Sequence, residues 1–132
     1  MLKGKLYRIN TIDLLPATDE ANPARKYSVI LALDSSHPIF EGHFPGNPIL
    51  PGVCQVEIVR EIAEEILGLE LLLSQASQVK YLSLINPLDN PVISLNLKFG
   101  EPVQGEVDVS AEVTSAGSVF MKMKCRLKEF KS

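Results

Sequence analysis

The chain has 132 residues, enough for one hydrophobic core and too few for a catalytic domain with a second lobe, so a single domain over residues 1–132 is expected. Its composition, 45% hydrophobic and 22% charged, is that of a globular protein, and a formal charge of -3 excludes a general nucleic-acid binder, which needs a basic surface against phosphate. No apolar run of about 18 residues occurs and no signal-peptide pattern precedes the first strand, so the expectation is a soluble, cytoplasmic protein with no membrane span.

In chain order, Lys5 to Leu14 and Tyr27 to Leu33 predict two strands, parted by a polar stretch that holds Pro16, Asp19, Asn22 and Pro23. A connection of about 18 residues follows, longer than compact domains usually tolerate without a function for it. Val53 to Leu67 contains neither glycine nor proline, is closed by Gly68, and predicts the one long helix. Its apolar residues cover more than one stripe, so much of its girth should be buried. Gln75 to Leu84 and Pro91 to Phe99 supply two more strands. Val107, Val109, Ala111 and Val113 then alternate with Glu106, Asp108, Ser110 and Glu112. Beyond a hairpin turn at Gly117, Val119, Met121, Met123, Cys125 and Leu127 alternate with Lys122, Lys124, Arg126 and Lys128. The fold class is therefore α+β: an antiparallel sheet of about six strands curled round one helix. The four bases of the last strand form a local stripe, either a dock for an acidic partner or a plain solvated face. Cys54 and Cys125 lack metal-ligand spacing and read as packing thiols in a reducing compartment.

The long connection, "HPIFEGHFPGNPILPGV" from His37 to Val53, holds both histidines of the chain. Prolines 38, 45, 48 and 51 fix their own backbone angle and restrict the residue before each, which suits a loop that must hold one side chain still. Pro51 fits the start of the helix, and the N–H of Gly52 then has no earlier carbonyl to satisfy it. A free amide at a helix N-terminus, with no side chain in the way, suits a developing negative charge. Glu57 lies five residues on, about 7.5 Å along the axis at 1.5 Å per residue. A base (His43), an oxyanion donor (Gly52) and an acid (Glu57) fall within one small volume if the loop folds back over the helix. His37 reads as a loop residue.

"GHFPGNPILPGV" from Gly42 to Val53, followed by Glu57, resembles the signature of the 3-hydroxyacyl-acyl-carrier-protein dehydratases, proteins of the hot-dog fold in which a curved antiparallel sheet wraps a central helix. The resemblance implies that His43 is the catalytic histidine, Glu57 the catalytic acid, and the Gly52 amide the donor to the thioester carbonyl, with Val53 and Phe44 lining the substrate. It implies an acyl carrier protein as the partner that carries the substrate, and a homodimer whose histidine and acid meet across the interface. Glu rather than Asp at position 57 matches the branch that dehydrates without isomerising. The chemistry calls for no metal and no redox cofactor: imidazole removes a weakly acidic C2 proton near neutral pH, and a carboxylic acid in an apolar setting protonates the departing hydroxyl.

The chain departs from the family where Glu61 replaces its usual Gln, with Arg60 alongside, and where the stretch "QASQVKYLSLINPLDNP" lacks its Pro-Gly-Asp turn. Glu61 and Arg60 are thus expected modulators. A second carboxylate at i+4 should disfavour ionisation of Glu57; alternatively Glu61 pairs with Arg60 or a lysine and contributes only solubility. Glu57, Glu61 and Glu64 also have the spacing of a solvated acidic stripe. Phe44 and Tyr81 read as wall or core residues. Two other functions stay open: a hot-dog thioesterase, which leaves the stiffened His43 loop unexplained, and a non-catalytic module that binds an acyl carrier or a subunit.

Overall fold

Strand alternation over residues 92–129 is regular because each of the three strands there has one face to bury. The computed structural model describes residues 1–16, 24–41 and 46–130. It contains β1 (Tyr7–Leu14), β2 (Arg25–Leu33), α1 (Gly52–Leu67), β3 (Leu71–Tyr81), β4 (Val92–Phe99), β5 (Glu106–Ser115) and β6 (Ser118–Glu129). The strands make one antiparallel six-stranded sheet in the order β1-β2-β4-β5-β6-β3. Both ends of that order are edges, and β3, the strand that follows the helix, is one of them.

The register puts Leu95 opposite Val29 and Val113, and Val109 opposite Cys125, so one sheet face is apolar from β2 to β6. Ile58, Val59, Ile62 and Ala63 of α1 pack onto that face in a single core. Leu95, Ile62 and Leu127 have no exposed surface, and burial of such a side chain contributes about 1.5–3 kcal/mol. Between β5 and β6, Ala116 and Gly117 both have positive φ, 50° and 80°. That is the two-residue hairpin geometry whose twist matches the strands it joins.

The helix begins one residue earlier than the sequence suggests, at Gly52, and stops as expected at Gly68, which is left-handed at φ 68° and donates its N–H to the Glu64 carbonyl. The strand expected over Gln75 to Leu84 instead spans Leu71–Tyr81. Gly68 reverses the chain at once, so pairing with β6 starts at Leu71 opposite Glu129. The ladder ends where Leu82 and Ser83 both donate to the Phe120 carbonyl. Among the described residues no helix is long and apolar enough to cross a membrane.

On the outer face of the sheet the basic stripe of β6 does not stand alone. Lys128, Arg126 and Lys122 lie opposite Glu106, Asp108 and Glu112 of β5, and Arg126 Nε donates to Asp108 Oδ1 at 2.8 Å. Cross-strand acids balance most of the stripe, as in an ordinary solvated sheet face.

Candidate active site

The loop enters the helix through a fixed set of backbone bonds. Leu50 N–H donates to the Ile85 carbonyl at 2.8 Å, and Pro51 takes the N-cap position with no side-chain cap, its carbonyl accepting from Cys54 N–H and Gln55 N–H. Gln55, which no motif in the sequence marks, reaches back from the first turn, and its Nε2 donates to the Leu50 carbonyl at 3.2 Å. It is 4% exposed; a buried amide inside an otherwise apolar first turn was the signal for it. Among the described residues nothing accepts from the N–H of Gly52, which is the orphan donor expected at a first helical position.

Tyr81, at the end of β3, packs its ring on Gly52 while about half of the residue stays exposed. It is a wall, as the sequence suggests, but the wall of the helix N-terminus itself. Burial of the ring end raises its phenol above the ordinary value. Val53, the next residue, is 78% exposed and lies on the side of α1 that the chain's own sheet leaves open.

That side runs Val53, Glu57, Arg60, Glu64, a spacing of four and three that keeps residues on one face of a helix. Glu57 is neither apolar in setting nor alone. Arg60 Nε donates to both of its carboxylate oxygens at 3.1 Å, and Nη2 donates to Oε1. These bonds hold the Glu57 carboxyl below the usual carboxylate range, against the opposing effect of its partial burial. The direction is opposite to that of an acid kept protonated by apolar surroundings.

Glu61 takes a third course that the sequence did not suggest. Only 4% exposed, it accepts from the N–H groups of Leu2 and Lys3 at 2.9 Å each and from the Tyr7 hydroxyl at 3.1 Å. It fastens the N-terminal segment to the helix, so it neither joins a solvated stripe nor pairs with Arg60. Tyr7 is in turn raised, first by burial and then by the Glu61 charge. A groove of about 600 Å³ opens farther along the helix, with Arg60 and Glu64 on its charged side and Leu69, Leu71, Leu72 and Phe130 on its apolar side.

His43 and Phe44 lie outside the described residues. His37 is the loop residue expected of it: its Nδ1 accepts from Ile39 N–H at 3.0 Å and caps a single 3₁₀ turn, Pro38–Phe40. The structure thus brings Gly52, Val53, Glu57 and Arg60 onto the first three turns of one helix, under Tyr81 at one end.

A family model described as ApeI-like, ApeI dehydratase, matches residues 19–119. Over 111 residues the chain is 32% identical to the 3-hydroxyacyl-[acyl-carrier-protein] dehydratase FabZ of Zymomonas mobilis, covering 83% of this chain but only 61% of that protein. Among solved structures, an uncharacterized protein from Erwinia carotovora superposes with a TM-score of 0.70 at 22% identity, covering 95% of this chain and 98% of that one. The dehydratase heterocomplex ApeI:P from Xenorhabdus doucetiae does so with a TM-score of 0.63 at 23% identity, covering 92% and 97%.

Proposed function

The chain belongs to the ApeI-like dehydratase family, and on that premise we propose that it removes water from a 3-hydroxyacyl thioester, carried on acyl carrier protein, to give the trans-2-enoyl thioester during acyl-chain biosynthesis. The observation that carries this reading is the helix that follows the His43 motif. Its first amide, on Gly52, has no acceptor among the described residues, and its open face presents Glu57 one turn later.

In this reaction His43 takes the proton from C2 of the substrate. The electron pair left behind moves toward the thioester carbonyl, where the Gly52 N–H and the positive end of α1 meet the charge on oxygen; one such donor is worth about 3 kcal/mol. Glu57, in its acid form, gives its proton to the C3 hydroxyl, which leaves as water while the C2–C3 double bond forms. The proton gained by His43 and the one lost by Glu57 are then exchanged with solvent, and the chain is unchanged over the cycle.

The working unit in this reading is a homodimer. Its support is the edge strand β3, where Leu72, Leu73 and Tyr81 are 49%, 40% and 50% exposed beside the open helix face. An unpaired edge with apolar side chains is a template for a second copy. The cytoplasm is the matching location, since Cys54 and Cys125 are buried free thiols and a reducing compartment keeps them so.

Offering the protein a 3-hydroxyacyl thioester on acyl carrier protein tests the reading. The expected product is an enoyl thioester, seen by its ultraviolet absorbance, with no free thiol released. His43→Ala and Glu57→Gln should each slow its formation by about 10²- to 10⁴-fold. Thiol release in place of enoyl product, or binding with no turnover, would reject the proposal.

A further inference from the structure

Arg60 is tied at both ends of its guanidinium. One edge forks onto the two oxygens of Glu57. On the other, Nη1 donates to the Leu71 carbonyl at 2.9 Å and stands 2.9 Å from Glu64 Oε1. Glu64 is itself anchored, since its Oε2 accepts from Leu71 N–H at 2.8 Å. An arginine on a loose surface follows its carboxylate from rotamer to rotamer. This one is held by the first residue of β3 and by a second carboxylate, so Glu57 has a fixed cation to meet.

A planar fork suits two carboxylate oxygens in a way that a lysine's single ammonium does not. The clamp also acts against the job assigned to Glu57. Protonation of a leaving hydroxyl requires the acid form, and a fixed cation at hydrogen-bond distance favours the carboxylate. We propose that Arg60 is a positioning residue of this site: it clamps the Glu57 carboxylate to the helix in its charged form, and the acid form that protonates the leaving hydroxyl arises when the clamp lets go. The role given to Glu57 here rests on the proposed dehydration; the clamp itself does not.

The charge balance around Glu57 agrees. Arg60 lowers it most, through its hydrogen bonds and then its charge, and the N-terminal ammonium adds to this; Glu61, on the next turn, is occupied by the Leu2, Lys3 and Tyr7 donors. Cys54 on the same helix and Tyr7 from β1 face it as neutral groups, both raised first by burial, with the Glu57 charge adding to the rise at Cys54 and, behind that of Glu61, at Tyr7. From β3 the backbone of Leu71 reaches Arg60. Removing the guanidinium therefore lets Glu57 keep its proton to higher pH. Catalysis needs neutral His43 together with protonated Glu57, a minority state when the carboxyl titrates below the imidazole. Each unit by which Glu57 rises enlarges that state about tenfold and moves the acid limb of kcat/KM up by the same unit.

The experiment follows the Glu57 side-chain carboxyl carbon by NMR through an acid titration of the full chain, assigned by its loss in Glu57→Gln, alongside pH profiles of kcat/KM. In the wild type the midpoint should lie below that of an ordinary glutamate. In Arg60→Gln it should rise by about one unit, with Arg60→Lys in between and the acid limb shifted in step. A wild-type midpoint at or above the ordinary value, or an unmoved midpoint in Arg60→Gln, overturns the clamp; the first of these needs no variant to fold. Because the titration reads charge and not turnover, a shifted midpoint in a protein that dehydrates nothing would reject the functional reading and leave the clamp standing.

Discussion

Tyr81 lies so close over Gly52 that a Cβ on this glycine would stand 2.6 Å from the ring's Cζ and 2.7 Å from its hydroxyl oxygen. Real Cβ atoms do not approach so near, and the φ of Gly52 is not in the left-handed region. Glycine leaves space here for the ring tip of Tyr81, which would have to swing aside for any larger residue, and its backbone freedom is not what the position uses.

Gly52→Ala should therefore strain the contact with Tyr81. Overpacking costs about 1–3 kcal/mol where neighbours are held, and alanine's better helix propensity returns at most about 1 kcal/mol. The expected outcome is a small net loss in unfolding free energy that vanishes when Tyr81→Ala is added. Denaturation of the two single variants and the double gives the coupling, and strictly additive effects would contradict the contact.

Glu61→Ala should destabilise the fold by about 1–3 kcal/mol. The fully buried Tyr7 loses the acceptor of its hydroxyl, while the Leu2 and Lys3 amides lose theirs. Tyr7→Phe in the same background should recover part of that loss, because it removes the orphaned donor. Chemical denaturation reads both. A midpoint unchanged by Glu61→Ala would mean that the N-terminal segment is not fastened here.

Burial pushes the Cys125 thiol up to about 11 from an ordinary 9.0. The folded chain disfavours the thiolate, so the unfolded chain ionises first. This contribution to stability is whole below about pH 9 and is lost as pH rises from there through about 11. Cys125→Ala should flatten the alkaline decline of the melting temperature between those values. Native protein near neutral pH should label slowly at Cys125 with thiol reagents, and rapid labelling would show that the thiol is not buried.

Refolding equal amounts of His43→Ala and Glu57→Gln chains together tests the shared site. With random pairing half the dimers are mixed, and each mixed dimer has one site that lacks both residues and one that keeps both. About a quarter of wild-type activity should return under two-fold symmetry. A mixture as inactive as its parents, with mixed dimers shown by mass, would mean that each chain carries a self-contained site.

Local sequence patterns determined the helix, its stop at Gly68, the Gly117 hairpin and the alternation of β4, β5 and β6, because each follows from periods of two or 3.6 and from residues with special backbone angles. The motif from Gly42 to Val53 pointed to the family through its resemblance to a known signature, and the family match over residues 19–119 agrees with it. Tertiary structure decided what depends on partners far along the chain. β3 begins at Leu71 because β6 is there to pair with it. Glu57 and Glu61, one turn apart, part company because residues 2–7 fold across one and leave the other to Arg60. Spacing places two carboxylates on one side of a helix; which of them is buried, and which meets a cation, is set by segments that no local period can see.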